Sequence, residues 1–67
     1  MKNISDKNEF FIFLLEKYAE IKNKSSKYVL NLWKEKEIID YINDMYGQYH
    51  SERVENAIED IDNKIKN

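Results

Sequence analysis

Phe10-Phe11-Ile12-Phe13-Leu14-Leu15, running on into Glu16-Lys17-Tyr18-Ala19-Glu20-Ile21, is the most apolar stretch of the chain. Phe10, Leu14, Tyr18 and Ile21 fall at i, i+4, i+8 and i+11, which places them on one stripe of an α-helix. Phe11 and Leu15 widen that stripe, whereas Ile12 and Phe13 point elsewhere. A helix that is apolar nearly all round is either central to its fold or covered by another chain. Ser5 supplies an N-cap for it, and Asp6 follows at the first helical position, where the helix dipole favours an acid.

The same period continues outward from this helix. Asn23-Lys24-Ser25-Ser26 interrupts the apolar pattern, and either serine can cap the next helix. That second helix is predicted over Lys27 to Glu35, with Val29, Leu30, Leu32 and Trp33 apolar. The stripe changes face at Ile38, so a third helix is expected to carry Ile38, Ile39, Tyr41, Ile42, Met45, Tyr46 and Tyr49. Neither glycine nor proline separates the two, and one fused helix from 27 to 50 is the alternative. Gly47 lies inside the third helix or ends it. Ser51 then caps a fourth helix, in which Val54, Ile58, Ile61 and Ile65 have a 4-3-4 spacing. Asp60 with Lys64, and Asp62 with Lys66, are acid-first pairs one turn apart that support it. The expected fold is all-α: a single compact domain over residues 1–67, a bundle of four short helices. The expected core is Phe10, Leu14, Tyr18, Val29, Trp33, Ile42, Ile58 and Ile61.

Sixty-seven residues bury only about 60% of the surface their unfolded chain exposes, so such a domain has little stability to spare. With no cysteine, neither disulfides nor thiolate metal sites can add to it. The chain has nine aromatic residues, too many for a segment that stays disordered. The apolar run near the start is six residues long and is preceded by Asp6 and Glu9, which does not make a secretory signal. No stretch approaches the roughly 20 apolar residues of a membrane span, so a cytoplasmic location away from the membrane is expected.

Charge is divided along the chain. Residues 1–36 carry eight lysines against five acids, and residues 37–62 carry eight acids against Arg53 alone. Two readings are open: the halves lie side by side and attract each other, or the acidic half presents a face to a basic partner. If Val54, Ile58, Ile61 and Ile65 face the core, then Glu52, Glu55, Glu59 and Asp62 form that face. Ile12 and Phe13, which a small bundle cannot bury along with the rest, are the expected oligomer contact, either in a homodimer or with another protein.

Catalytic and metal chemistry find little foothold. His50 is the only histidine, and no second ligand stands at a metal-binding spacing from it, so it is expected to hydrogen-bond at a helix end. Asp40 with Asp44, and Glu55 with Glu59, sit one turn apart, but general acid–base work also requires a cleft that shifts their pKa values. No cofactor is implied. Nucleic-acid binding of the helix-turn-helix type is the alternative function. It would place the third helix in the major groove, yet that helix carries Asp40 and Asp44 and no cation. The lysines at 17, 22, 24, 27, 34 and 36, near Tyr28 and Trp33, leave limited room for RNA.

The string Lys7-x-Glu9-Phe10-Phe11-Ile12-Phe13-x-Leu15-Glu16-x-Tyr18 resembles the opening of a small bacterial family, domain of unknown function family 3791. The resemblance continues in register through Ser25-x-x-x-Val29-Leu30-x-Leu32-Trp33, Ile39-Asp40-Tyr41-Ile42, Tyr46-x-x-Tyr49-His50-Ser51 and Glu59-Asp60-Ile61-Asp62. Glu37 stands where the family has a glycine between helices two and three, Arg53 where another glycine opens helix four, and Asn56 in place of an aromatic. These departures bear on the turns more than on the core. Members of the family neighbour another small family that resembles ADP-ribosyltransferase toxins. The resemblance therefore implies a companion or antitoxin-like role, without any catalytic residue. The function expected from residues and resemblance together is a non-enzymatic protein-interaction module.

Overall fold

The computed structural model describes residues 7–66. Five helices succeed one another: α1 (Lys7–Lys22), α2 (Ser26–Glu35), α3 (Ile39–Asp44), α4 (Tyr46–His50) and α5 (Val54–Lys66). No strand occurs among the described residues. The expected cap Ser5 and first-turn Asp6 lie outside them.

Turn chemistry sets the breaks between helices. At the end of α1, Asn23 adopts φ 59°, the Asn23 amide donates to the Glu20 carbonyl at 3.1 Å, and the Lys24 amide donates to that of Ala19 at 2.9 Å. This is the paired-bond ending known as a Schellman motif, and asparagine tolerates its left-handed residue. Ser25 then caps α2, its hydroxyl accepting from the Tyr28 amide at 3.0 Å. The end of α2 repeats the motif at a less accommodating residue. Glu37 has φ 58°, its amide donates to Lys34, and the Ile38 amide reaches back to Trp33, both at 3.1 Å. Helices two and three are therefore separate, and the separator is Glu37 itself, in the left-handed conformation.

The stretch expected as one third helix is two. Met45, with φ −85° and ψ 6°, closes α3 and opens α4. Its amide donates to the carbonyls of Tyr41 and Ile42, and its own carbonyl accepts from Tyr49 at 2.8 Å. Four helices thus become five, and the bend turns Tyr49 fully into the core. Gly47 ends nothing; it sits inside α4, and a Cβ there would meet no atom within 4 Å. Ser51 does not cap the last helix either. It terminates α4, its Oγ donating to the Gln48 carbonyl at 3.0 Å, and α5 begins three residues later at Val54.

All eight expected core residues are buried, with Leu14, Trp33 and Ile61 wholly so; Leu15, Ala19, Ile38, Tyr49 and Ala57 join them. Helix α1 packs against each of the other four, which accounts for apolar residues on so much of its circumference. The Phe11 and Tyr18 rings meet the Trp33 indole edge-on, with centroids 5.7 and 5.5 Å away. Ile21 is a correction: it is 52% exposed. The buried side of α1 rotates toward Leu15, Tyr18 and Ala19 in its second half, where α2 and α5 lie, and this leaves Ile21 outside.

Candidate functional site

Helix α5 and the turn that leads into it carry the acids on which the functional reading turns, and the fold divides them into two groups. Successive residues of an α-helix lie about 100° apart, so Asp60 and Asp62 emerge on opposite flanks of the Ile58–Ile61 stripe. Asp62 faces α1. Its Oδ1 accepts from the Tyr18 hydroxyl at 2.5 Å and its Oδ2 from Lys22 Nζ at 2.6 Å. Asp60 faces α3 and α4, and its Oδ2 accepts from both the Tyr41 hydroxyl at 2.6 Å and the Tyr49 hydroxyl at 2.5 Å. These are the short distances expected of hydroxyls bonded to an ionised carboxylate. Two carboxylates therefore clamp the last helix to three others.

The titration behaviour is set by those contacts. The Tyr41 and Tyr49 hydrogen bonds hold Asp60 below the usual carboxylate range, outweighing partial burial. For Asp62, burial pushes upward, but hydrogen bonds from Lys22 and Tyr18 together bring the net shift downward. The hydroxyls move the other way. Burial, then the bond to the neighbouring carboxylate, raises Tyr18 and Tyr49 well above an ordinary phenol. The bond to Asp60 raises Tyr41 as well.

The remaining acids point outward. Glu52, Glu55 and Glu59 are exposed, so three of the four residues expected to form an acidic face are presented to solvent, while Asp62 is drawn to the α1 side. Local compensation is slight. The Arg53 guanidinium approaches Glu55 at 3.8 Å, and the Gln48 amide donates to Glu52 at 3.3 Å. Between α4 and α5 an open groove of about 300 Å³ is lined by Gln48, Glu52, Asn56, Glu59, Asp60 and Asn63 among others. Its polar groups are amides and carboxylates, a lining suited to cationic side chains. The expected bridges from Lys64 to Asp60 and from Lys66 to Asp62 are not direct contacts. Lys64 Nζ instead lies 4.5 Å from the centre of the Tyr41 ring, and Lys66 acts on Asp62 through its charge.

The expected oligomer contact on α1 is open to solvent, with Ile12 51% and Phe13 38% exposed. His50 lies at the exposed end of α4, its ring 5.3 Å from that of Tyr46 and 5.7 Å from that of Phe10. Ring packing takes the place of the expected helix-end hydrogen bond. Among the described residues no group of three His, Asp or Glu side chains is placed to hold a metal ion, and no helix is long and apolar enough to cross a membrane. Trp33 is buried entirely and cannot stack on a base; its Nε1 finds no hydrogen-bond acceptor. Asp60 and Asp62 were legible in the sequence only as charge. Their tyrosine partners stand one, two and four helices away, so no local pattern announced their role.

The profile of a family described as a protein of unknown function, DUF3791, matches residues 9–67, and the chain belongs to that family. No curated protein and no solved structure shows significant similarity to it.

Proposed function

We propose that this chain is a non-enzymatic protein-interaction module of the cytoplasm that presents the outer face of α5 to a basic partner. The observation that supports this reading best is the division of labour on α5. Asp60 and Asp62 are engaged by tyrosines and Lys22, whereas Glu52, in the turn before α5, and Glu55 and Glu59 on it stay exposed, with Glu52 and Glu59 lining a groove of amides and carboxylates beside Asp60. Acids grouped in this way repel one another, and a basic partner would relieve that repulsion while being steered toward the surface. The carboxylates with shifted pKa values are held low by structural partners, which favours packing over proton transfer. An antitoxin-like or companion role toward a neighbouring gene product is the biological form this takes, and Ile12 and Phe13 offer a second contact. A helix-turn-helix role has weaker support, since α3 has six residues and carries Asp40 and Asp44.

The test is quantitative capture from the native cell with tagged wild-type chain and with the Glu55→Lys, Glu59→Lys double variant, at low and high salt. Proteins held by the wild type at low salt should be lost with the variant and with salt. Identical capture by both chains would refute the reading.

A further inference from the structure

The outer side of α1 carries a face open to solvent, on which the Phe13 ring leans on Phe10 with centroids 6.2 Å apart and Lys17 pairs with Glu20 at 3.7 Å. Phe13, Glu16, Lys17 and Glu20 line a shallow groove of about 170 Å³. Their spacing of i, i+3, i+4 and i+7 is that of the four residues forming a hole for a side chain of a facing helix. Phe13, itself 38% exposed, is an aromatic knob at the rim of that hole, and exposed Ile12 and Ile21 border the face on either side.

The charges on this face choose the occupant. Counting outward from a point midway between residues 16 and 17, reversal of the helix exchanges Glu16 with Lys17 and Phe13 with Glu20. Two copies of α1 packed antiparallel about that point therefore set each Glu16 against the partner's Lys17. Each Phe13 then falls opposite the partner's Glu20, whose methylene stem the ring covers, with the partner's Lys17 one turn away and attracted to the ring. A parallel arrangement would oppose Glu16 with glutamate and Lys17 with lysine. The antiparallel one also sets the two helix dipoles in opposition, and one patch serves both copies, as a two-fold interface requires.

We infer that the outer face of α1 is a homodimer interface in which two copies pack antiparallel around the Glu16–Lys17 pair, with Phe13 as the central side chain. This commits one surface of the interaction module to a second copy of this chain and leaves the α5 face free for another partner. The contact is small. A 16-residue helix is about 24 Å long, and one helix face falls short of the roughly 800 Å² per partner of a stable dimer. The dimer is accordingly weak, with a dissociation constant on the order of 0.1 mM.

Sedimentation equilibrium of the purified full chain from about 10 μM to 1 mM tests this, with melting curves of each variant as a check on folding. Wild type should pass from monomer to dimer across that range. Glu16→Lys alone and Lys17→Glu alone should each weaken association roughly tenfold or more, because like charges then oppose one another twice. The two substitutions together should restore it, and Phe13→Ser should abolish it. A wild-type chain that stays monomeric at the highest concentration overturns the inference, as does a double variant no better than the singles. The capture experiment on α5 uses another face, so failure here with salt-sensitive capture intact overturns the dimer and leaves the interaction module standing.

Discussion

Replacing Glu37 with glycine should make this protein more stable, although it adds the residue with the greatest backbone freedom. Glu37 is the left-handed residue of the α2 ending, at φ 58°, between two amides that bond back to Lys34 and Trp33. A residue with a Cβ loses about 1–2 kcal/mol in that conformation. Glycine avoids this but gains freedom in the unfolded chain, which costs roughly 0.4–1 kcal/mol. The net gain is about 0.5–1 kcal/mol, since no short contact of the Glu37 side chain is lost with it. For a domain of 60–100 residues, 1 kcal/mol shifts Tm by about 4–8 °C, so a rise of roughly 2–8 °C is expected. Thermal unfolding by circular dichroism measures it directly. Lys36→Gly is the matched control: Lys36 has φ −82° in the right-handed region, where glycine brings only the entropic loss, and Tm should fall. A Glu37→Gly variant that melts at or below wild type would show that the left-handed turn carries no strain that glycine could relieve.

Three further outcomes are expected. Leu14→Ala, at a wholly buried position, should cost about 2–5 kcal/mol and leave so small a domain largely unfolded; a melting point within a degree or two of wild type would remove α1 from the centre of the fold. Gly47→Ala should stabilise by about 0.5–1 kcal/mol, because the glycine lies within a helix and the added methyl meets no neighbour; a lower Tm would contradict this. Stability should also fall at both ends of the pH scale. Asp60 and Asp62, depressed in the fold, contribute fully above the unfolded carboxylate value of about 4 and lose that contribution as pH drops through their folded values. Tyr18 and Tyr49, raised in the fold, contribute fully below about pH 10 and lose it as pH climbs. Asp60→Asn should cost about 1–2 kcal/mol near neutrality, modest because the carboxylate is partly solvated, and should flatten the acid limb of a Tm-against-pH curve. An acid limb unchanged in the variant would show that the Asp60 clamp is not formed.

The all-helical class and the eight core positions were readable from the sequence alone. Both rest on local periodicity: Phe10, Leu14 and Tyr18 recur at helical spacing, as do Ile58 and Ile61, and most of such a stripe is buried, with Ile21 left outside by the way α2 and α5 pack. The ending of α2 was half legible, because the apolar stripe changes face at Ile38, yet only the backbone showed that Glu37 takes the left-handed conformation. The bend at Met45 left no mark in the sequence. Ile38, Ile42, Met45 and Tyr49 suit one continuous helix as well as two, and what separates α3 from α4 is the direction in which Tyr49 must turn to reach the core. The fate of the acids was wholly a tertiary matter. Asp62 and Tyr18 are 44 residues apart, and Asp60 and Tyr41 are 19 apart, so whether each pair meets depends on how α5 crosses the other helices. Local patterning fixes which face of a helix is apolar. The crossing of helices decides which charges on its flanks become clamps and which remain at the surface.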